Sequence, residues 1–138
     1  MKHFKKSNVY PNEAFIQEAI EQHFVMNGFS IEKDGQIDLI AEKNDEKWIV
    51  EAKGMTSQIN VDFNTCIGQL AKSMASPLMN YAIALPNEIK YKHQSMKLPN
   101  YFRTISNLHI IVVDENAQIH IIQPTDNVED HWNALGSF

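Results

Sequence analysis

The stretch from Ile37 to Gly54, IDLIAEKNDEKWIVEAKG, constrains the fold more than any other part of the chain. Two apolar runs flank a polar centre, which is the pattern of a β-hairpin. Asn44 and Asp45 are turn-forming residues, and a two-residue turn at this point places Asp38 directly opposite Glu51. A register shift of one residue would move the side chains to the other face and remove this pairing.

Strand alternation divides the hairpin into an apolar face and a charged face. The apolar face is predicted to be core and comprises Ile37, Leu39, Ala41, Trp48, Val50 and Ala52. The other face comprises Asp38, Ile40, Ile49, Glu51 and Lys53. Directly opposed carboxylates are destabilising unless a cation or a shared proton compensates them, and magnesium prefers such oxygen ligands. The alternative is a solvent-exposed face on which Lys53 makes an ordinary surface ion pair.

Periodicity along the rest of the chain predicts an α/β domain with the order α-β-β-β-α-β-α-β-β. The predicted helices lie between residues 12 and 27, over 62–75 and within 89–105; the predicted strands cover 29–33, 36–42, 48–53, 81–85, 108–114 and 118–123. A helix between the third and fourth strands favours a crossover with parallel pairing, and therefore a mixed sheet flanked by helices. We expect one domain over 1–138, with a core of about 12–123 and an irregular tail over 124–138.

Composition excludes several classes of protein. The single cysteine, Cys66, excludes an internal disulfide framework and fits a reducing, cytoplasmic setting. The basic N-terminus lacks the apolar segment of a signal peptide, no apolar run has the length of a membrane span, and no phosphate-binding glycine motif occurs. The net charge of −5 does not indicate a nucleic-acid binder. A basic face remains open as an expectation, because Lys90, Lys92, Lys97 and Arg103 cluster in sequence, although solvated surface charge explains them equally well.

Asp38 followed by Glu51-Ala52-Lys53, in a helix–hairpin–helix–strand order, resembles the PD-(D/E)xK nuclease superfamily. This superfamily has the restriction-endonuclease-like fold and includes Holliday-junction resolvases and many repair nucleases. The resemblance covers roughly Asn12 to Pro86. It implies that Asp38, Glu51 and the Ala52 carbonyl bind Mg²⁺ or Mn²⁺, while Lys53 orients or helps to deprotonate the attacking water.

Many members of the superfamily also use a glutamate from the first helix. At about 100° per residue, Glu13 lies on the apolar side of that helix with Ile16, whereas Glu18 and Glu21 lie on the solvent side. We therefore predict Glu13 as a site residue. The alternative is a first-turn acid that is favoured only by the helix dipole.

The match to the superfamily has departures. Ile37 stands where proline is common. Gln69 matches a glutamine that some branches carry on the second helix, and we place it near the mouth of the predicted site. Ser73 stands where those branches often have tyrosine, so the assignment to that branch is open.

The resemblance implies a metal-dependent endodeoxyribonuclease, with DNA as its partner, in repair, recombination or defence. We expect a homodimer or a larger complex, because a lone small domain has little surface for reading sequence, and we expect no membrane association. The alternative is a non-catalytic module on the same fold that binds nucleic acid or protein. The opposed pair Asp38 and Glu51 argues against lost chemistry, whereas the acidic net charge argues for it, because tight DNA binding needs many phosphate contacts.

Overall fold

The computed structural model describes residues 9–34 and 37–136, with the side chains at 34, 37 and 38 outside that description. Six strands form one sheet in the order β1-β2-β3-β4-β5-β6. These are β1 (Ser30–Asp34), β2 (Ile37–Lys43), β3 (Glu46–Ala52), β4 (Asn80–Pro86), β5 (Leu108–Val113) and β6 (Ile119–Ile122). The helices of the described residues are α1 (Glu13–Met26), α2 (Ile59–Ser73), α3 (Ile89–Met96), α4 (Asn100–Ser106) and α5 (Val128–Asn133).

The sheet is mixed. The pairs β1–β2, β2–β3 and β5–β6 are antiparallel, whereas β3–β4 and β4–β5 are parallel. Helix α2 makes the connection between β3 and β4, so the predicted crossover and the parallel pairing are both confirmed. The predicted α/β class, a mixed sheet flanked by helices, is likewise confirmed and is compatible with the restriction-endonuclease-like fold. Because β3, β4 and β5 run in the same direction, their carboxyl ends meet at one edge of the sheet.

Two apolar clusters cover the two faces of the sheet. On one face, α1 contributes Ile16, Ala19, Ile20 and Phe24, which pack on Leu39, Ala41, Trp48, Val50 and Ala52. The hairpin face predicted to be core is therefore core at each of its described positions. On the other face, α2, α3 and α5 pack on Ile49 and on β4 and β5. Burial on both faces suits the central strands, which read as almost continuous apolar runs.

The first helix has the predicted limits. Asn12 precedes it with an extended backbone, and Gly28 follows its end with a φ of 88°. Glycine adopts this left-handed conformation without the steric cost that other residues meet, which is why the helix stops here.

The second half of the chain differs from the prediction at three points. The predicted second helix begins earlier, at Ile59, and the segment 89–105 is two helices, because Pro99 lies between α3 and α4. The segment after Pro124, predicted to be irregular, contains α5. That helix is capped by the Asn127 side chain, which accepts a hydrogen bond from the backbone of Asp130, a cap that the sequence pattern carries.

Trp132 makes α5 part of the fold. Its side chain is fully buried, and its indole N–H donates to Oδ1 of Asn87 at 2.7 Å. The segment expected as a tail over 124–138 therefore contributes Trp132 to the core of the domain.

The four residues of the predicted basic cluster differ in their exposure to solvent. Arg103 is fully buried and donates hydrogen bonds to the backbone carbonyls of Gln123 and Asp126. Lys92 is 7% exposed and its ammonium group contacts the Asn133 side chain. Both cations serve the fold, and of the four residues only Lys90 and Lys97 are exposed.

Candidate active site

The hairpin has the register that its turn residues predict. Lys43 pairs with Glu46 around the turn, and the pairing continues to Leu39 and Val50. Asn44 takes a φ of 55° in the turn, a left-handed conformation that asparagine tolerates well. One further step of this register brings the backbone position of Asp38 opposite Glu51. The side chain of Asp38 lies outside the described part of the structure.

Glu51 is a buried carboxylate. It is 3% exposed, lies near the end of β3, and pairs in register with Ile83 of β4. Alternation places it on the face that α2 covers, together with Ile49. A carboxylate that is removed from water needs compensating charge or hydrogen bonds.

Lys53 follows immediately after β3 and meets the first helix. Its backbone N–H donates to the Ala84 carbonyl at 2.9 Å, which extends the pairing with β4 by one residue. Its ammonium nitrogen lies 4.0 Å from Oε1 of Glu13. The Lys53 side chain is 22% exposed, so it is held by its surroundings and is still open to a substrate.

Of the three glutamates of α1, only Glu13 is brought to this point. Glu18 is exposed, and Glu21 makes an ion pair with Lys33 at 2.6 Å. The geometry agrees with the helix-phase argument, while the role of Glu13 in a reaction stays a prediction.

Gly54 explains how the start of α1 reaches the end of β3. A Cβ atom at this position would lie 2.1 Å from the backbone nitrogen of Glu13 and 2.5 Å from the carbonyl carbon of Asn12. The neighbouring Met55 N–H donates to the Pro11 carbonyl at 2.8 Å. Only glycine permits this close approach of two backbones. Sequence reasoning missed the contact because nothing local marks it.

Tyr91 fixes the same point from the other side. Its hydroxyl donates to the Gly54 carbonyl at 2.6 Å, and its ring is fully buried. Burial raises the pKa of Tyr91, and the carboxylates of Asp62 and Glu13 add to the increase. The hydroxyl therefore stays protonated and continues to donate at neutral pH. Its position in the amphipathic pattern of α3 gave no signal of this role.

Gln69 and Ala52 occupy different settings. Ala52 is fully buried as the last residue of β3. Gln69 is exposed, about 15 Å along the axis of α2 from Ile59, at the end of that helix far from Lys53. Neither the Gln69 assignment nor the Ala52 carbonyl as a metal ligand is tested by this arrangement.

The predicted metal ligands are oxygen donors. Within the part of the chain that the structure describes, which leaves out the Asp38 side chain, no three His, Cys, Asp or Glu side chains converge on a metal position. Of the predicted site acids, Glu51 is buried and Glu13 lies 4.0 Å from the Lys53 ammonium group. Carboxylate oxygens are ligands that Mg²⁺ and Mn²⁺ prefer over softer donors.

Comparison with known proteins shows the fold. No protein-family model matches the chain, and no curated protein matches its sequence. A solved XisH family protein from Nostoc punctiforme PCC 73102 is 18% identical with a TM-score of 0.58, over 78% of this chain and 98% of that one. An fdxN element excision controlling factor protein from Anabaena variabilis is 20% identical with a TM-score of 0.55, over 76% and 95%. No described helix has the length and apolar character needed to cross a membrane.

Proposed function

We propose that this protein is a metal-dependent nuclease that hydrolyses phosphodiester bonds in DNA. The observation that carries the proposal is that β2, β3 and α1 bring four residues together at the end of β3. Buried Glu51 lies near the end of β3 and partly exposed Lys53 directly follows that strand, the hairpin register brings the Asp38 position opposite Glu51, and α1 delivers Glu13 to Lys53. The alternative, a solvent-exposed hairpin face with an ordinary surface ion pair, does not account for the burial of Glu51.

Mg²⁺ or Mn²⁺ fits these residues. Asp38 and Glu51 would hold the ion through carboxylate oxygens, with the Ala52 carbonyl as a further donor. The 3% exposure of Glu51 supports the fit, because a divalent cation is one means by which the charge of a buried carboxylate is compensated. When bound, the ion supplies Lewis-acid stabilisation of the scissile phosphate and a template for its orientation.

The remaining residues hold and orient the reactants. The Lys53 ammonium group donates up to three hydrogen bonds, and it can orient an attacking water while it neutralises charge on the phosphate. Glu13 restrains Lys53 through the ion pair at 4.0 Å. Tyr91 and Gly54 keep the backbone after β3 in place, so that Lys53 projects at a fixed point.

DNA is the proposed substrate because of one structural neighbour. That protein is described as controlling excision of the fdxN element, and the excision of a genetic element is a reaction of DNA. A role in repair, recombination or defence is part of the proposal.

A non-catalytic module on the same fold is the rival. The net charge of −5 favours it, and so does the burial of Lys92 and Arg103, which removes two cations from the surface. Metal binding separates the two functions. Calorimetry with Mg²⁺ and Mn²⁺ should give a binding heat that disappears in Glu51→Gln if the site holds a metal.

The direct test is cleavage of a panel of junction, flap, nicked and linear DNA, with RNA as a comparison. We expect metal-dependent products from the wild-type protein and none from Asp38→Asn, Glu51→Gln or Lys53→Met. Lys97→Met removes an exposed lysine elsewhere and should retain activity. Absence of cleavage of every form by wild type, or equal cleavage by the site variants, would refute the proposal.

A further inference from the structure

Two cavities of similar size open at the sheet edge that carries Lys53, and they differ in charge. The first, which we call the α2 groove, is lined by residues 56–61 and Lys90 and has a volume of about 350 Å³. The second, the acidic cavity, is lined by Tyr10, Asn87, Glu88, residues 114–116 and Leu135, with a volume of about 280 Å³. The α2 groove has one cation and no carboxylate among its lining residues. The acidic cavity has three carboxylates, on Glu88, Asp114 and Glu115, and no cation.

Topology places both cavities beside the candidate site. Asn87 follows β4 and Asp114 follows β5, just as Lys53 follows β3, and these three strands end at the same edge. The start of α3 divides the cavities, because Glu88 lines one and Lys90 lines the other.

The walls of the α2 groove are tied together by hydrogen bonds. The Gln94 amide of α3 donates to Oδ1 of Asn60 in α2 at 2.9 Å. The backbone N–H of Gln58 donates to Oγ1 of Thr56 at 3.1 Å, which orders the turn that leads into α2. The groove is therefore a fixed depression between two helices, and its open surface carries hydroxyl, amide and ammonium groups.

The α2 groove lies within reach of a substrate strand at Lys53. Thr56 is three positions after Lys53 in the chain, so their Cα atoms are at most about 11 Å apart. Phosphates along one strand of a duplex repeat every ~3.4 Å of helix axis. A phosphate a few nucleotides from the one at Lys53 can therefore lie over the groove.

We propose that the α2 groove binds the sugar-phosphate backbone of the strand adjacent to the scissile phosphodiester, an inference that rests on the proposed nuclease function. Lys90 supplies the charge, and the side chains of Ser57 and Gln58 supply neutral donors. Such contacts position a strand without reading its bases. The acidic cavity repels phosphate, so the strand leaves the site on the α2 side.

The salt dependence of binding tests the groove. A short fluorescein-labelled oligonucleotide, single-stranded or duplex, is titrated with Ca²⁺ in place of Mg²⁺ across about 50–200 mM KCl. Lys90→Ala should weaken binding about fivefold and reduce the slope of log K against log salt by ~0.7–0.9, the value for one phosphate contact. The control, Lys72→Ala, removes an exposed lysine from the far end of α2 and should change neither quantity.

A second variant and the cleavage kinetics distinguish a failure of the groove proposal from a failure of the proposed nuclease function. Ser57→Glu places a carboxylate in the groove and should raise KM severalfold, with kcat within about twofold of wild type. If wild type cleaves DNA but Lys90→Ala and Ser57→Glu match it in KM and salt slope, the groove is refuted and the nuclease function stands. If wild type binds DNA through Lys90 without cleaving it, phosphate binding by the groove is supported and the nuclease function is refuted. If wild type binds no nucleic acid, both fall.

Discussion

The Lys53 ammonium group lies 4.0 Å from the Glu13 carboxylate, although Lys53 follows a central strand and Glu13 begins the helix on the other face of the sheet. They meet only because Gly54 allows the two backbones to touch at the sheet edge. The candidate site is therefore assembled by a backbone contact between distant segments, and it should be sensitive to changes that leave every charged residue in place.

Glu13→Gln removes the charge beside Lys53 and keeps the size of the side chain. Loss of a residue that orients a site group typically costs 10–100-fold in activity or metal affinity. We expect cleavage to slow by about tenfold or more, with an increase in the Mg²⁺ concentration that gives half-maximal rate. The matched control is Glu18→Gln, because Glu18 is exposed on the same helix. Equal rates for the two variants would remove Glu13 from the site.

Gly54→Ala should damage the fold and the site together. The added methyl group would meet backbone atoms of Asn12 and Glu13, which cannot rotate away as a flexible side chain can. We expect a loss of about 1–3 kcal/mol in the free energy of unfolding by urea denaturation. Cleavage should fall further than this stability loss explains, because the start of α1 must move away from Lys53.

Gly68→Ala is the control for this substitution. Gly68 lies within α2, is exposed, and a Cβ atom there would have nothing within 4 Å. Alanine should therefore stabilise the protein by about 0.5–1 kcal/mol, as in any helix interior. A destabilised Gly68→Ala, or a Gly54→Ala as stable as wild type, would contradict the assigned packing.

Tyr91→Phe deletes the hydroxyl that donates to the Gly54 carbonyl and keeps the buried ring. The carbonyl loses its partner in a buried setting, so we expect a loss of about 1–2 kcal/mol on unfolding. The control is Tyr101→Phe, which makes the same chemical change at a residue that is 77% exposed. It should alter the free energy of unfolding by less than about 0.5 kcal/mol. Thermal melts should therefore give a clearly lower Tm for Tyr91→Phe than for Tyr101→Phe, and equal Tm values would contradict the prediction.

The features that the sequence predicts correctly are determined by residues that lie close together in the chain. The hairpin register follows from turn residues at Asn44 and Asp45 together with alternation on either side, and all of this lies within one short segment. The parallel pairing of β3 and β4 follows from the helix between them and the limited handedness of crossovers. The phase of α1 selects Glu13 over Glu18 because helical geometry is regular along its length.

The rest depended on contacts between segments far apart in sequence. Lys92 and Arg103 look like surface charges in the chain, but the segment around α5 supplies carbonyl and amide oxygens that contact both of them. Gly54 and Tyr91 carry no local mark of their mutual contact. Helix α5 is different, because the Asn127 cap is visible in the sequence. The six residues of the helix, however, contain too few apolar side chains to indicate a buried face.

His109 should make the stability of the protein depend on pH. Its ring is 4% exposed and lies 4.5 Å from the Trp48 ring, and its Nδ1 is 3.1 Å from the Tyr81 carbonyl. Burial lowers the pKa of His109 below its ordinary value, and the hydrogen bonds to backbone carbonyls offset this only in part. Neutral imidazole is therefore the form that the folded protein favours.

The sign of the pH effect follows from this lowered pKa. The unfolded chain binds the proton near pH ~6.5, before the folded protein does, so stability is complete above that pH and falls as the pH decreases toward the folded pKa. The slope is at most about 1.4 kcal/mol per pH unit for one group. Urea denaturation between about pH 7.5 and 5.5 should show this loss in wild type and a flatter profile in His109→Gln. His93→Gln, a change at an exposed histidine, should keep the wild-type slope. Burial also lowers the pKa of His23, so a smaller slope of the same sign should remain in His109→Gln, and an unchanged slope there would refute the assignment.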